Sequence, residues 1–122
     1  MKRVGKIDRT IYSCVTEDII TNKVVLTKNR IKHVKDKHGN DYKNLKRYLK
    51  KVVEKPDYIL EDKRPYTAVV LKIIGMHRLL LVLRIATHSD NNYMNSIITF
   101  FKIDQHRWDR YIRRKKILYK AK

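Results

Sequence analysis

The sequence is short of several residue types, and each shortage narrows what the protein can be. Cys14 is the single cysteine, which excludes a disulfide within the chain and a cysteine-rich zinc site. Three glycines and two prolines, with no repeat and no linker-like stretch, indicate one domain over residues 1–122. The longest apolar stretch, residues 76–86, is interrupted by His77, Arg78 and Arg84, so we expect no membrane span.

Acidic residues are scarce as well. Thirty Lys and Arg stand against twelve Asp and Glu, which gives a formal net charge of +18. Repulsion on that scale opposes compaction, so we expect a polyanionic partner such as a nucleic acid. The few carboxylates are scattered, which argues against a two-metal nuclease, and the P-loop, GxSxG and HExxH motifs are missing. We therefore expect neither a metal ion nor a cofactor.

The spacing of apolar residues predicts an α+β fold. Helical spacing predicts one helix over 28–37, with Thr27 as N-cap and a stop at Gly39, and a second amphipathic helix that ends at Pro56. A period of two predicts an antiparallel meander of roughly four strands, at 57–61, 66–74, 78–86 and 96–103. A closing helix over 104–114, opened by Asp104, and a short strand in KKILYK follow. We expect the N-terminal helices and the C-terminal helix on one face of this sheet.

The N-terminal segment is less regular. Residues 1–23 are expected to be an N-terminal extension or an edge strand, and the weak alternation in residues 6–13 favours the strand there. Residues 24–26 predict another short strand that leads into Thr27.

The turn between the two central strands decides which side chains share a face. A three-residue turn, Gly75-Met76-His77, pairs Ile74 with Arg78 and Val70 with Val82, and it puts Lys72 and Arg84 together on one open face. A two-residue turn would put Arg84 among core side chains, at a cost of several kcal/mol. On this ground we predict the three-residue turn.

A nuclease with so few acids would have to use cations, histidines and hydroxyls, which suits RNA because its own 2′-OH is the nucleophile. His38 is the leading candidate base, since it follows Ile31 and Val34 on one helical stripe; the alternative is a histidine that caps the helix. His33 lies well round the helix from His38 and is a weaker candidate.

Three polar residues interrupt apolar strands. Lys72 and Arg84 would bind the scissile phosphate, the alternative being that they extend to solvent from an uncovered face. Thr99, within SIITFF, is a further candidate for the site, although strand preference alone also explains it.

The C-terminal end is a candidate nucleic-acid surface. Residues 107–122 contain eight Lys or Arg, which suits contacts to a phosphate backbone. The residues expected to bind nucleic acid are Lys72, Arg84, Arg107, Arg110, Arg113, Arg114, Lys115 and Tyr119, the last by stacking on a base.

A series of motifs along the chain resembles one nuclease group. They are KNRIKHVKDKHG, EKPDYILED, VVLKIIG, LLLVLRIA, NSIITFFKID and KILYK, and they span about residues 24–120. This pattern resembles the phage-associated branch of the barnase–EndoU–colicin–RelE-like nucleases.

The resemblance implies a metal-independent ribonuclease whose active site lies on an open sheet face, with His38 and His33 as acid and base. It also implies phosphate-binding roles for Lys72 and Arg84, and it matches Thr99 to the polar residue of its strand. An acidic immunity or antitoxin protein is the expected partner besides RNA. The expected place of action is the cytoplasm, either of the producing cell or of one that receives the domain within a larger toxin.

Two alternatives stay open. Charge and aromatic residues suit a non-catalytic nucleic-acid-binding module of a phage or mobile element equally well. The segment at residues 88–92 is either a longer recognition loop or a flexible one.

Overall fold

A mixed seven-stranded sheet forms the centre of the computed structural model, which describes residues 1–89 and 93–122. The strands are β1 (Lys2–Lys6), β2 (Lys23–Leu26), β3 (Tyr58–Glu61), β4 (Thr67–Ile74), β5 (His77–Arg84), β6 (Asn95–Ile103) and β7 (Ile117–Lys120). The helices are α1 (Arg9–Tyr12), α2 (Lys28–Leu45), α3 (Leu49–Glu54) and α4 (Gln105–Arg114), with a 3-10 turn at Lys46–Tyr48 between α2 and α3.

The predicted four-strand meander is present, but it is only the middle of the sheet. The spatial order is β1-β2-β6-β5-β4-β3-β7. β2 joins β6 in parallel through Val24–Asn95 and Val25–Ser96, and β7 adds to the other edge by pairing with β3. The expectation of a four-stranded antiparallel sheet is therefore wrong in its detail, because the short terminal strands find partners at both edges of the meander.

The sheet is covered on both faces. On the face that we call the helix face, side chains of the central strands pack with those of α2 and α3 in one core that includes Val34, Val53, Val70, Leu81 and Phe100. On the opposite face, the α4 face, a second core joins Trp108 to Leu60, Val69, Leu71, Leu80 and Val82. The expectation that all helices share one face is wrong, since central strands that are apolar on both sides need two covers.

The N-terminal segment differs from its prediction. Residues 9–12 form a helical turn, with the Asp8 carboxylate accepting a hydrogen bond from Thr10 N at 2.9 Å, and the edge strand β1 lies earlier, at Lys2–Lys6. Tyr12 is fully buried, and its hydroxyl donates to the carbonyl of Val53 at 2.7 Å. Burial raises the pKa of the Tyr12 phenol above its ordinary value of 10.0.

The first long helix does not stop at Gly39. It continues to Leu45 through a kink at His38, whose φ of −141° and ψ of 49° are not helical. Gly39 lacks the positive φ of a C′ glycine, which explains why the chain resumes its helix instead of leaving it.

The central hairpin has a two-residue turn. Ile74 pairs with His77, Val70 with Leu81 and Thr67 with Arg84, so the three-residue turn predicted from the sequence is wrong. Gly75 adopts a φ of +60° at the first turn position, where glycine is favoured in the tight hairpin turns that match strand twist. The argument against this turn failed because Arg84 stands at the end of the second core and remains half-exposed.

The other predicted elements are confirmed with small shifts of their ends. β3 to β6 lie where period two placed them, and Asp104 caps α4 by accepting a hydrogen bond from Arg107 N at 2.8 Å. In the described parts of the chain, no helix is long and apolar enough to cross a membrane.

Candidate functional site

His38 meets the sheet at the ring of Phe101. The two rings stack with centroids 4.5 Å apart and planes inclined by 23°. The kink in α2 falls on His38 itself, so its side chain leaves the direction that a straight helix would impose. His38 is half-buried, and its imidazole is held by packing at a place where a substrate can still reach it.

The edge of β6 explains how α2 comes so close to the sheet. β2 pairs with β6 only through Asn95 and Ser96, so the later part of β6 runs beside α2. The Asp41 carboxylate accepts a hydrogen bond from Lys102 N at 3.1 Å, which satisfies a donor of that strand edge. The ring of the next helix residue, Tyr42, contacts the ring of Phe100, with centroids 6.0 Å apart. These contacts fix α2 against β6 on both sides of Phe101, within four residues of His38 along the helix.

Thr99 and Arg84 lie on the α4 face. Thr99 is opposite Val82, which belongs to the second core, and Arg84 is opposite Ser96, with a bulge between the two pairs. Thr99 precedes Phe101 by two residues on the same face, about 7 Å along the strand. Thr99, Arg84 and the His38–Phe101 stack therefore share one side of the sheet.

Arg84 is positioned by Tyr66. The guanidinium lies over the Tyr66 ring, 5.9 Å from its centroid. Tyr66 has a φ of +56°, which few residues other than glycine adopt, and its carbonyl accepts a hydrogen bond from Ile85 N at 2.8 Å. A residue held in this conformation beside a cation on an open part of the sheet is typical of a functional site.

Lys72 does not join Arg84. The hairpin register puts Lys72 opposite Leu79 and thus on the helix face, which overturns the expected pairing of the two cations. Lys72 Nζ donates to the carbonyl of Lys55 at 2.6 Å and to Asp57 Oδ1 at 3.3 Å, and its side chain is only 18% exposed. These contacts favour a structural role that holds the end of α3 to the sheet.

A cationic cleft runs along α4. It has a volume of about 240 Å³ and is lined by Arg107, Arg110, Tyr111, Arg114 and Lys115. The Arg107 guanidinium also lies 5.7 Å from the centroid of Phe101. Arg107 thus connects the cleft with the ring on which His38 stacks.

The remaining predicted residues lie elsewhere. His33 is exposed, five residues before the kink and more than a turn away along α2. Arg113 is exposed and is not part of the cleft lining. Tyr119 pairs with Ile59 and packs against the core of the helix face, so it does not share a side with the cleft.

One pair of polar residues was missed at the sequence level. Beyond the end of β5, the Asp18 carboxylate accepts hydrogen bonds from the backbone N–H of His88 at 3.1 Å and contacts the His88 ring at Nδ1. The hydrogen bond with His88 is the main cause that lowers the pKa of Asp18 below its ordinary value. No sequence pattern links two residues seventy positions apart, which is why only the folded chain reveals the pair. The predicted recognition loop at 88–92 lies partly outside the described residues.

The arrangement on the α4 face combines a histidine, a hydroxyl and two guanidinium groups. An imidazole can take or give a proton near neutral pH, and guanidinium groups can hold the oxygens of a phosphate. This set of groups suits acid–base chemistry on a phosphodiester.

The comparison with protein families gives one match. A family model described as phage-Barnase-EndoU-ColicinE5/D-RelE like nuclease2 (PBECR2) matches residues 1–120, a range that includes all seven strands and the whole candidate site. No curated protein and no solved structure is significantly similar to the chain.

Proposed function

Because the chain belongs to the phage-Barnase-EndoU-ColicinE5/D-RelE-like nuclease family, we propose that it is a ribonuclease that cuts RNA without a metal ion. The observation that carries the proposal is the position of His38, stacked on Phe101 while Arg107 lies over the same ring. The proposed base and a phosphate-binding cation therefore lie against the same aromatic ring.

The proposed reaction uses the 2′-OH of the substrate as nucleophile. The imidazole of His38 takes the proton of the 2′-OH, and the 2′ oxygen attacks the adjacent phosphorus. The bond from phosphorus to the 5′ oxygen breaks, that oxygen takes a proton from solvent, and the His38 imidazolium returns its proton to solvent. Arg84, Arg107 and the Thr99 hydroxyl stabilise the charge on the phosphorane oxygens. The products are a 2′,3′-cyclic phosphate and a 5′-hydroxyl end.

The test is cleavage of a mixed panel of tRNA, rRNA and mRNA by the purified protein in EDTA. We expect cyclic phosphate ends by mass spectrometry, and no cut where the nucleotide before the scissile bond is 2′-deoxy. His38→Ala should lower the rate by about 10²- to 10⁴-fold, which is the usual contribution of a general base. His33→Ala, in the same helix but away from Phe101, should retain most of the activity.

Two results would contradict the proposal. If His33→Ala and His38→Ala lose the same amount of cleavage activity, the assignment of His38 as the general base is wrong. A folded protein that binds RNA in a salt-sensitive way but cuts none of the panel would instead favour the non-catalytic binding module.

We also propose that the enzyme acts as a toxin or phage effector in the cytoplasm and is neutralised by an acidic protein. The net charge of +18 supports an acidic partner, because charge complementarity speeds association and selects partners. Expression should arrest growth unless an acidic inhibitor is co-expressed, and the His38→Ala variant should be tolerated. Growth arrest by His38→Ala as well would contradict a nuclease-based effector.

A further inference from the structure

The cationic cleft of α4 is more ordered than a solvated basic face. Arg107 precedes Arg110 by three residues and Tyr111 by four, and Arg114 follows them by four and three, so all four lie along one stripe of the helix. Arg110 Nη2 is within 2.9 Å of His106 Nε2, which orients that guanidinium. The helix thus presents a row of guanidinium groups around one aromatic ring.

The charge of the cleft calls for an anion. All of its lining residues except Tyr111 are cations, and none of the lining side chains is a carboxylate. Cations gathered in one cleft repel one another, and this repulsion is relieved when a polyanion binds. Tyr111 is half-buried and packs against the second core, so its ring is held in place beside the arginines of the cleft.

We propose that this cleft binds the nucleotide next to the scissile phosphate, and that it does so for single-stranded RNA. Arg110 and Arg114 hold backbone phosphates, and Tyr111 stacks on the base. The inference rests on the proposed function, since it takes the scissile phosphate to lie beside His38 and Arg107.

The closeness of His38 to α4 and the small size of the cleft favour a single strand. The His38 ring and the Arg107 guanidinium are at most about 10 Å apart, because both are measured to the same Phe101 ring. A cleft of about 240 Å³ is also smaller than the usual pocket for a drug-sized ligand, which suits one base with its phosphate.

The chemistry of the rings supports the same choice. A base can stack on a protein aromatic ring only when it has left its own stack, as it does in loops and single strands. The in-line attack of the 2′ oxygen likewise needs a backbone that is free to rotate, which a duplex restrains.

The experiment measures binding with His38→Ala as the parent, so that RNA is not consumed. The probes are a short single-stranded RNA oligomer labelled with fluorescein and the duplex that it forms with its complement. With Arg110→Ala and Arg114→Ala combined, we expect at least ten-fold weaker binding of the single strand. The slope of log K against log salt should shrink by about 1.4, which corresponds to two lost phosphate contacts. Arg113→Ala removes one charge from the same helix outside the cleft lining and should leave the slope near that of the parent.

Tyr111 has its own control. Tyr111→Leu should weaken binding about ten-fold without changing the salt slope, because a stacked base is lost and no phosphate contact is. Tyr111→Phe keeps the ring and should bind like the parent, and circular dichroism melts show whether each variant is folded.

Several outcomes would overturn the inference. The first is a loss of binding in Arg113→Ala as large as that in the variant that combines Arg110→Ala and Arg114→Ala. The others are equal binding by Tyr111→Leu and Tyr111→Phe, and a duplex that binds as tightly as the single strand. If binding depends on the cleft as described but the unmodified protein cuts no RNA, the proposed function fails and the cleft remains a single-strand site. If the cleft variants still cut RNA and bind the single strand as tightly as the parent, the proposed nuclease function stands. The assignment of the cleft as a nucleotide-binding site then fails.

Discussion

The two faces of the sheet are built from the same strands, but the polar side chains on the two faces have different surroundings. On the helix face, the Lys72 ammonium donates hydrogen bonds to the Lys55 carbonyl and the Asp57 carboxylate. On the α4 face, Arg84 and Thr99 are half-buried, and Phe101 stacks with His38 and lies 5.7 Å from the Arg107 guanidinium of α4. Lys72 therefore has a structural role on the helix face, and the residues to which we assign a role in cleavage lie on the α4 face.

The largest expected difference between the faces concerns two neighbouring rings. Phe100 is 2% exposed in the core of the helix face, and Phe101 is half-buried under His38. Phe100→Ala should lower the free energy of unfolding by about 3–5 kcal/mol, since it leaves a cavity. Phe101→Ala should cost about half of that but should lower RNA cleavage at least ten-fold, because His38 loses its support.

Denaturant unfolding and initial cleavage rates measure the two effects on the same samples. Equal losses of stability in both variants, with cleavage following stability alone, would show that the two faces do not divide these tasks.

A smaller difference in stability and cleavage is expected between variants of Lys72 and Arg84. Lys72→Met should lower the free energy of unfolding by about 1–2 kcal/mol, because charged hydrogen bonds to Lys55 and Asp57 are lost, and cleavage by the folded fraction should not change. Arg84→Met should instead reduce cleavage by about 10²-fold, the usual loss when a donor to transition-state charge is removed. Thermal melts and cleavage rates distinguish the two. A large loss of cleavage in Lys72→Met would restore the pairing of the two cations in one site.

The smallest effect is expected at the rim of the sheet, where Asp18 meets His88. The pKa of Asp18 is lowered, chiefly by the hydrogen bond with His88, so its charged form adds stability above the ordinary value of 3.8. That contribution is lost as the pH falls below 3.8. The difference in Tm between the parent protein and Asp18→Asn should therefore narrow as the pH is lowered through that range.

Asp36→Asn, which removes an exposed carboxylate from α2, serves as the control and should show no such narrowing. A difference in Tm for Asp18→Asn that stays constant from neutral pH to pH values well below 3.8 would show that the hydrogen bond does not favour the charged carboxylate.

Much of the fold was predictable because it rests on local patterns. Period two located β3 to β6, and Asp104 marked the start of α4, since alternation and caps act over a few residues. The hairpin register was wrong although Gly75 favours a two-residue turn, because the argument assumed that only one sheet face is covered. The prediction for residues 6–13 failed because weak alternation over so few residues does not distinguish a strand from a helical turn.

The candidate site was predictable only in part. His38, Arg84 and Thr99 were selected from their residue types and positions, and the structure brings all three to the α4 face. Phe101, which carries His38, was not among the candidates, because a phenylalanine within an apolar strand looks like any core residue. The pairing of Asp18 with His88 depends on how the segment before β2 packs beside the end of β5, and no local pattern contains that information.

The sequence by itself determined the net charge of +18, the scarcity of carboxylates, the α+β class and the series of motifs that marks the nuclease family, since each of these depends on composition or short-range order. The tertiary structure alone decided which cations share a face. That choice depends on one residue in the register of a hairpin, and a shift by one residue turns each side chain of a strand to the opposite side of the sheet.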